Sequence, residues 1–336
     1  ASVERVYPRT QEDGGQEDGR RQEKNRIEKE GTPSMTLSRR HFLAGTAACG
    51  AGLLWQGTAT AQNATPPVCV FSKHLLFIKE YATLAKTAKS LGLDGLDLAV
   101  RKGGHVEPEN VAAGLPKCVD AVRAEGLDVF MITTALKRAD DADARPILEA
   151  ASKLGIRYAR IGGHQYSKDG DITEELKGFT DDMRGLAALL ASNKMAGGYH
   201  NHSGGTNVGA PMWDLHAMFS AIDNPSLGSN FDVGHATVEG GLGAWRLNAR
   251  LLAPYVKMTA VKDFVWEDGK VRWVRLGEGQ VTVPEFFSIF KAAGFSGPAS
   301  LHVEYKLPSD DAMLEEIRVS ALRLREDLKK AGYAGA

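Results

Sequence analysis

The sequence predicts an α/β protein of the (β/α)8 barrel class, and three observations carry that prediction. From Val68 onward short apolar runs alternate with amphipathic segments, and this strand-helix rhythm recurs about eight times in roughly 270 residues, as a closed barrel requires. The chain of 336 residues is 43% hydrophobic and 25% charged, an ordinary globular composition with enough apolar material for one large core. Finally, several apolar runs end in histidine or carboxylate just before a glycine-rich loop. In a parallel barrel those C-terminal strand ends surround a common mouth.

The N-terminal part reads differently. Residues 11–30 are almost entirely polar, with Ile27 the only aliphatic, and cannot bury a core. Residues 1–34 are therefore expected to be a disordered upstream extension or an expression remnant. Met35 then opens Ser38-Arg39-Arg40-His41-Phe42-Leu43, which resembles the twin-arginine export signal, followed by an apolar run over 43–55 and small residues Ala59-Thr60-Ala61 at cleavage spacing. Residues 35–61 are expected to be a signal peptide and Gln62 the mature N-terminus. That implies a periplasmic protein whose first partner is the twin-arginine export machinery. The apolar run is too short to span a bilayer, and nothing after residue 62 reads as a membrane segment.

One domain is expected over 62–336, and its elements follow in order. Residues 68–71 are the first strand, ending at Ser72-Lys73-His74, and 77–91 the first helix, stopped by Gly92. The second strand is 95–100, with Asp97 inside it and 101–105 as its loop; a helix covers 119–124 and ends at Gly126. The third strand, 129–134, leads to a helix over 144–154, and the fourth, 157–161, ends in Gly162-Gly163-His164. A long helix over 173–190 has Asp171 or Thr173 as its cap. Strand five is 199–202, with a helix over 211–222, and strand six with its loop is 227–235. Strand seven, 256–263, runs into a hairpin that turns on Glu267-Asp268-Gly269-Lys270 and decorates the mouth. A helix over 283–293, strand eight over 298–304 and a helix over 311–331 close the ring.

Chemistry concentrates at His200-Asn201-His202. A period of two sends both histidines to one face of the strand and Asn201 to the other. Asp97, His164, Asp232, His235, Lys262, Asp263 and Glu304 stand at other strand ends and converge on the same mouth. Imidazole and carboxylate donors together suit a divalent ion such as manganese, zinc, cobalt or magnesium, and the nitrogen content argues against calcium. Helix capping or a salt bridge is the structural alternative for Asp232 and Glu304, and a surface charge for Lys262. A formal net charge of -1 recommends no polyanion, so nucleic acid is not an expected partner. Cys69 and Cys118 have no metal or redox spacing, and their pairing is left open.

The run Asn230-Phe231-Asp232-Val233-Gly234-His235, then Val261-Lys262-Asp263, Leu276-Gly277-Glu278-Gly279 and Leu301-His302-Val303-Glu304-Tyr305 resemble, in that order, the signatures of the xylose-isomerase-like barrels. That superfamily includes sugar and sugar-phosphate isomerases and epimerases, inosose dehydratases and endonuclease IV. The resemblance implies a metal held at the ends of strands five to eight by Glu, Asp, His and Glu. Asp232 and Glu304 match, and His235 matches a histidine that contacts substrate. Two positions depart: His200 stands where a carboxylate is usual and Ala260 where a histidine is usual. His200, Asp232 and Glu304 are thus the implied metal ligands. Glu304, Lys262, His235 and His202 are the catalytic candidates, and His164, Asp97 and His105 face the substrate.

The implied activity is that of a metal-dependent isomerase or epimerase, removing a proton beside the carbonyl of a small carbohydrate. Without a glycine-rich phosphate loop, an unphosphorylated sugar or keto-sugar is favoured. The alternatives are a lyase cleaving 3-keto-glycosides by β-elimination and a non-catalytic carbohydrate-binding barrel.

Overall fold

Hydrogen bonding runs unbroken around eight parallel strands in a computed structural model, which describes residues 64–335. The expected extension (1–34), the signal segment (35–61) and Gln62 lie outside the described residues. In chain order the elements are β1 (Val68–Phe71), α1 (Tyr81–Ser90), β2 (Gly95–Ala99), α2 (Val111–Ala124), β3 (Asp128–Thr133), α3 (Ala144–Lys153), β4 (Tyr158–Ile161) and α4 (Ile172–Ser192). They continue with β5 (Ala196–His200), α5 (Trp213–Ile222), β6 (Leu227–Asp232), α6 (Val233–Glu239), α7 (Trp245–Leu252) and β7 (Val256–Val261). The hairpin β8 (Asp263–Glu267) and β9 (Lys270–Val274), then α8 (Val283–Ala292), β10 (Ala299–Leu301) and α9 (Asp310–Lys330) complete the chain. Around the barrel the order is β1-β10-β7-β6-β5-β4-β3-β2, and β8 and β9 form a separate antiparallel pair. The single-domain (β/α)8 barrel read from the sequence is the fold observed.

Every residue of β1, β2 and β6 is buried, because helices cover the outside of the sheet and side chains fill the inside. Outside β6 the packing is aromatic: Phe231 meets Phe290 at 5.0 Å, and Trp245 meets Phe286 at 4.2 Å. Inside, β5 depends on glycine. A Cβ on Gly198 would lie 2.8 Å from the Asn230 nitrogen and 2.9 Å from Met258 Cε, so any larger residue would push β5 away from β6.

Two local readings change, and one choice between two expected caps is resolved. Residues 233–252 hold two helices, α6 and α7, where the sequence reading places a loop through 235 and no element from there to strand seven. Glycines at 234 and 240 obscure the period of α6, whose start is set by Asp232: its side chain accepts from the His235 N–H at 2.8 Å. Residues 119–124 lie on helix α2 as expected, and the helix extends back to Val111 through Gly114 and Pro116, which read as breakers. Of the two cap candidates for α4, Asp171 does the capping, accepting from Thr173 and Glu174. Cys69 and Cys118 are buried free thiols, and no helix among the described residues is long and apolar enough to cross a membrane.

Candidate active site

The His-Asn-His run works as its alternation suggested. The His200 and His202 rings lie edge to face with centroids 4.4 Å apart at the end of β5. Between them, the buried Asn201 turns the other way. Its Oδ1 accepts from the Asp232 N–H at 2.8 Å and its Nδ2 donates to the Asp232 carbonyl at 3.0 Å, extending the β5–β6 pairing past the end of the strand. That clamp fixes the histidine pair beside Asp232.

Asp232 in turn organises its neighbours. Oδ1 caps α6, and the first turn of α6 delivers His235 to the mouth. Oδ2 lies 3.1 Å from Lys262 Nζ and 3.5 Å from His200 Nε2. Lys262 Nζ also sits 2.8 Å from His235 Nε2 and 4.4 Å from the centre of the Trp273 ring, so a carboxylate, an imidazole and an indole surround one buried ammonium. Burial lowers the Lys262 pKa, while Asp232 and Glu304 oppose that shift. With the ammonium donating to His235 Nε2, the assigned tautomer has Nδ1–H donating to Ser203 Oγ at 2.8 Å. The hairpin predicted to decorate the mouth is what supplies Trp273, 5.1 Å from the His235 ring.

Across the mouth, Glu304 accepts from Lys73 Nζ at 2.9 and 3.0 Å and lies 3.4 Å from His302 Nδ1. Burial alone would raise its pKa, but His302, Lys262 and Lys73 outweigh burial and hold the carboxyl well below the usual range. The imidazoles are held neutral. Burial, then His235 and Arg160, pushes His202 down to about 3, and burial with Lys262 pushes His235 down to about 2. Burial is also the main cause that brings His302 and His74 to about 3 and His200 well below its ordinary value. Neutral imidazole is the form that binds a metal or accepts a proton.

One ligand atom each from His200, His202 and His235 lie within 4.8 Å of one another, the only such group of three among the described residues. The buried Asp232 Oδ2 beside them makes no hydrogen bond of good geometry despite its ion-pair distance to Lys262. These residues fit a divalent ion. Of the ligands expected from sequence, His200 belongs to the cluster, Asp232 Oδ2 lies beside it at 3.5 Å from His200 Nε2, and Glu304 is held by Lys73.

Two cavities flank the histidine pair. One of about 410 Å³ at the barrel mouth is lined by Phe71, Lys73, Arg101, Arg160, Lys262, His235, Trp273 and Glu304 as well as His200 and His202. The other, about 550 Å³, shares His200 and His202 and extends to Lys137, His164 and Phe179. His164 thus reaches the site, stacked on Phe179 at 4.7 Å with Nε2 3.6 Å from Asp182.

The other two expected substrate-facing residues lie away from both cavities. Asp97 is fully buried inside the barrel, where Thr133 Oγ1 and Ser300 Oγ donate to its two oxygens at 2.6 and 2.8 Å. His105 braces a loop, with its ring nitrogens 3.0 Å from Ser72 Oγ and 3.2 Å from the Ile78 carbonyl. Asp263 is structural: its carboxylate accepts from the N–H groups of Phe264, Gly277, Gly279 and Val281. A Cβ on Gly279 would come within 2.3 Å of Asp263 Oδ1, which explains the Gly-Glu-Gly pattern as a pinned loop.

Sequence reasoning passed over Lys73, Arg101, Arg160, His302 and Trp273. Only Arg160 carried a usable signal, a charge inside a predicted strand where alternation points it into the barrel.

Solved structures share the architecture. A xylose isomerase domain protein from Alicyclobacillus acidocaldarius subsp. acidocaldarius is 18% identical, with a TM-score of 0.62 over 80% of this chain and 99% of its own. The 3-keto-D-glucoside 4-epimerase of E. coli is 12% identical, with a TM-score of 0.60 over 78% of this chain and 100% of its own. A xylose isomerase-like TIM barrel protein from Mycobacterium smegmatis, solved in complex with magnesium, is 16% identical, with a TM-score of 0.57 over 79% of this chain and 98% of its own. At these identities the likeness is one of fold. No curated protein matches the chain. The family model described as xylose isomerase-like TIM barrel matches residues 85–323, most of the sequence, and the chain belongs to that family.

Proposed function

We propose that this chain is a carbohydrate-active enzyme of the isomerase and epimerase kind, removing a proton beside the carbonyl of an unphosphorylated sugar or keto-sugar. The observation that carries this reading is the composition of the mouth cavity: one carboxylate, Glu304, lines it together with the Lys262 ammonium and three neutral imidazoles. Glu304 is ionised and part-exposed, so it is available as the proton acceptor, with Lys73 holding its orientation. A low pKa makes it a weak base. Charge developing on the substrate oxygen must therefore be stabilised strongly, and Lys262, whose Nζ lies 3.1 Å from Asp232 Oδ2, is the donor for that oxygen once His235 Nε2 is taken from it by a bound ion. A divalent ion, held when bound by His200, His202 and His235, supplies Lewis-acid polarisation of the carbonyl. An all-imidazole set suits zinc or cobalt better than magnesium.

A single carboxylate favours one-base chemistry. Isomerisation, in which the proton returns to the face it left, fits better than epimerisation by two bases on opposite faces. The second cavity beyond His200 and His202 favours one further reading, a lyase on 3-keto-glycosides, because it offers space for the substituent that an enolate would expel. The test is incubation with ketoses and 3-keto-glycosides in deuterated water, with zinc, cobalt, manganese or magnesium added. Solvent deuterium is expected on the carbon beside the carbonyl, and Glu304→Gln is expected to slow its entry about a hundredfold or more. Aglycone release would select the lyase, deuterium at an inverted centre would refute the one-base scheme, and no exchange on any substrate would leave the carbohydrate-binding barrel. The resemblance of Ser38-Arg39-Arg40-His41-Phe42-Leu43 to the twin-arginine signal supports a periplasmic site of action.

A further inference from the structure

Four cationic side chains, Lys73, Arg101, Arg160 and Lys262, line the mouth cavity against the single carboxylate of Glu304. Two of them are matched, Lys73 by Glu304 and Lys262 by Asp232. Arg101 and Arg160 are not. Among the described residues they are the only arginines that are withdrawn from solvent yet make no side-chain hydrogen bond or ion pair. Their guanidinium carbons lie 5.2 and 5.6 Å from the centre of the buried Phe71 ring, and Lys73 Nζ lies 5.3 Å from the same point.

This arrangement follows from the strands. On β4 the side chains of Ala159 and Ile161 are buried in the core, and alternation turns Arg160 into the barrel; Arg101 follows β2, two strands away in the ring. Burial, and after it the neighbouring Arg101, pushes Arg160 down to about 10 against the pull of Asp97, so the Arg160 guanidinium remains charged at neutral pH although Arg101 works against it. Unmatched charges withdrawn from water destabilise the free protein. A planar guanidinium fork is also the side chain best shaped to hold a carboxylate or phosphate through paired hydrogen bonds.

We propose that Arg101 and Arg160 form an oxyanion subsite, so that the carbohydrate this mouth accepts carries an acidic group, a carboxylate of the uronate kind. The inference rests on the carbohydrate reading above and narrows its substrate class. Phe71 provides an aromatic wall at the subsite, and Trp273, Glu304 and Lys262 line the same cavity, where the carbonyl end of the sugar would sit.

Equilibrium titration of the full chain with D-glucuronate, D-glucose and D-glucose 6-phosphate tests this. The acidic sugars are expected to bind at least about tenfold more tightly than glucose, as charge-assisted hydrogen bonds allow. Arg160→Gln should remove that preference, so that the variant binds glucuronate no more tightly than it binds glucose, and Arg160→Lys should restore part of it. Should Arg160→Gln fail to fold, Arg101→Gln, which alters a loop residue, takes its place. Glucuronate above the phosphate supports a carboxylate subsite. The reverse order, with inorganic phosphate competing, supports the oxyanion pair but assigns it a phosphoryl group. Equal affinity for neutral and acidic sugars, no binding of either anion, or a preference that survives both substitutions would overturn the proposal. Deuterium exchange on neutral keto-sugars continuing without any anion preference would overturn this inference alone. An anion preference without exchange on any keto-sugar would overturn the enzymatic reading alone.

Discussion

Lys262 Nζ lies 3.1 Å from Asp232 Oδ2, with 4% of one side chain and none of the other exposed. A pair so enclosed is held by mutual need: each charge is costly to bury and each offsets the other. Removing one partner of such a pair costs about 3–5 kcal/mol, because the survivor is left buried and uncompensated. Asp232→Asn keeps an acceptor for the α6 cap and removes only the charge. It is expected to destabilise the protein by about that amount in chemical denaturation, and the double variant with Lys262→Met should recover most of the loss. Additive losses in the double variant would mean that the two groups are not energetically coupled.

Metal binding separates two ligand sets. If His200, His202 and His235 hold the ion, His202→Ala should weaken zinc or cobalt by more than about a hundredfold, since changes outside the ligands themselves already cost ten- to hundredfold. Glu304→Gln should leave it within a few-fold. Lys262→Met should strengthen binding, because the ammonium now occupies His235 Nε2 at 2.8 Å. Cobalt absorption in the visible range reads all three. Loss of the spectrum in Asp232→Asn and Glu304→Gln, with His202→Ala unaffected, would restore the ligand set implied by the family pattern.

Asp97 gives the fold a pH dependence. Burial pushes its carboxyl up from 3.8 to about 6, partly offset by hydrogen bonds from Thr133 and Ser300 and by Arg160 and Arg101. Because the folded state then holds a proton that the unfolded chain has released, stability falls as pH rises from near 4 to near 6 and is level above that. The displacement corresponds to about 3 kcal/mol. Relative to wild type, Asp97→Asn should therefore gain stability across that window, as read by urea unfolding at several pH values. A relative gain for wild type on going to higher pH would show that the arginines hold Asp97 ionised.

Export can be read in cells. Replacing Arg39 and Arg40 by lysine should retain the protein in the cytoplasm with its N-terminal segment uncleaved. Unimpaired appearance in the periplasm would remove the twin-arginine assignment.

Much of this molecule was legible in the linear chain. The strand-helix rhythm identified the barrel, the alternation of His200-Asn201-His202 put two imidazoles side by side, and Glu267-Asp268-Gly269-Lys270 marked the hairpin. These are local properties, set by backbone periodicity and turn chemistry within a few residues. Helix α6 was missed because Gly234 interrupts its period and Asp232, the last residue of a strand, is the cap that starts it, and the eight-residue α7 because it follows directly on the glycines 240, 241 and 243.

What belongs together across the barrel was decided only by tertiary structure. Asp97 and Glu304 look alike in sequence, each a carboxylate in or just beyond an apolar run. Yet Asp97 is enclosed between Thr133 and Ser300, while Glu304 reaches the mouth beside Lys73. Lys262 lands between Asp232 and His235, and Arg101 and Arg160 arrive at one cavity without a partner, because strand register and barrel closure set the depth and neighbours of each side chain. The sequence by itself determined which residues could do chemistry here. Their pairing, and hence their charge state and reach, came from contacts between strands far apart in the chain, where burial and Coulomb forces act through space rather than along the backbone.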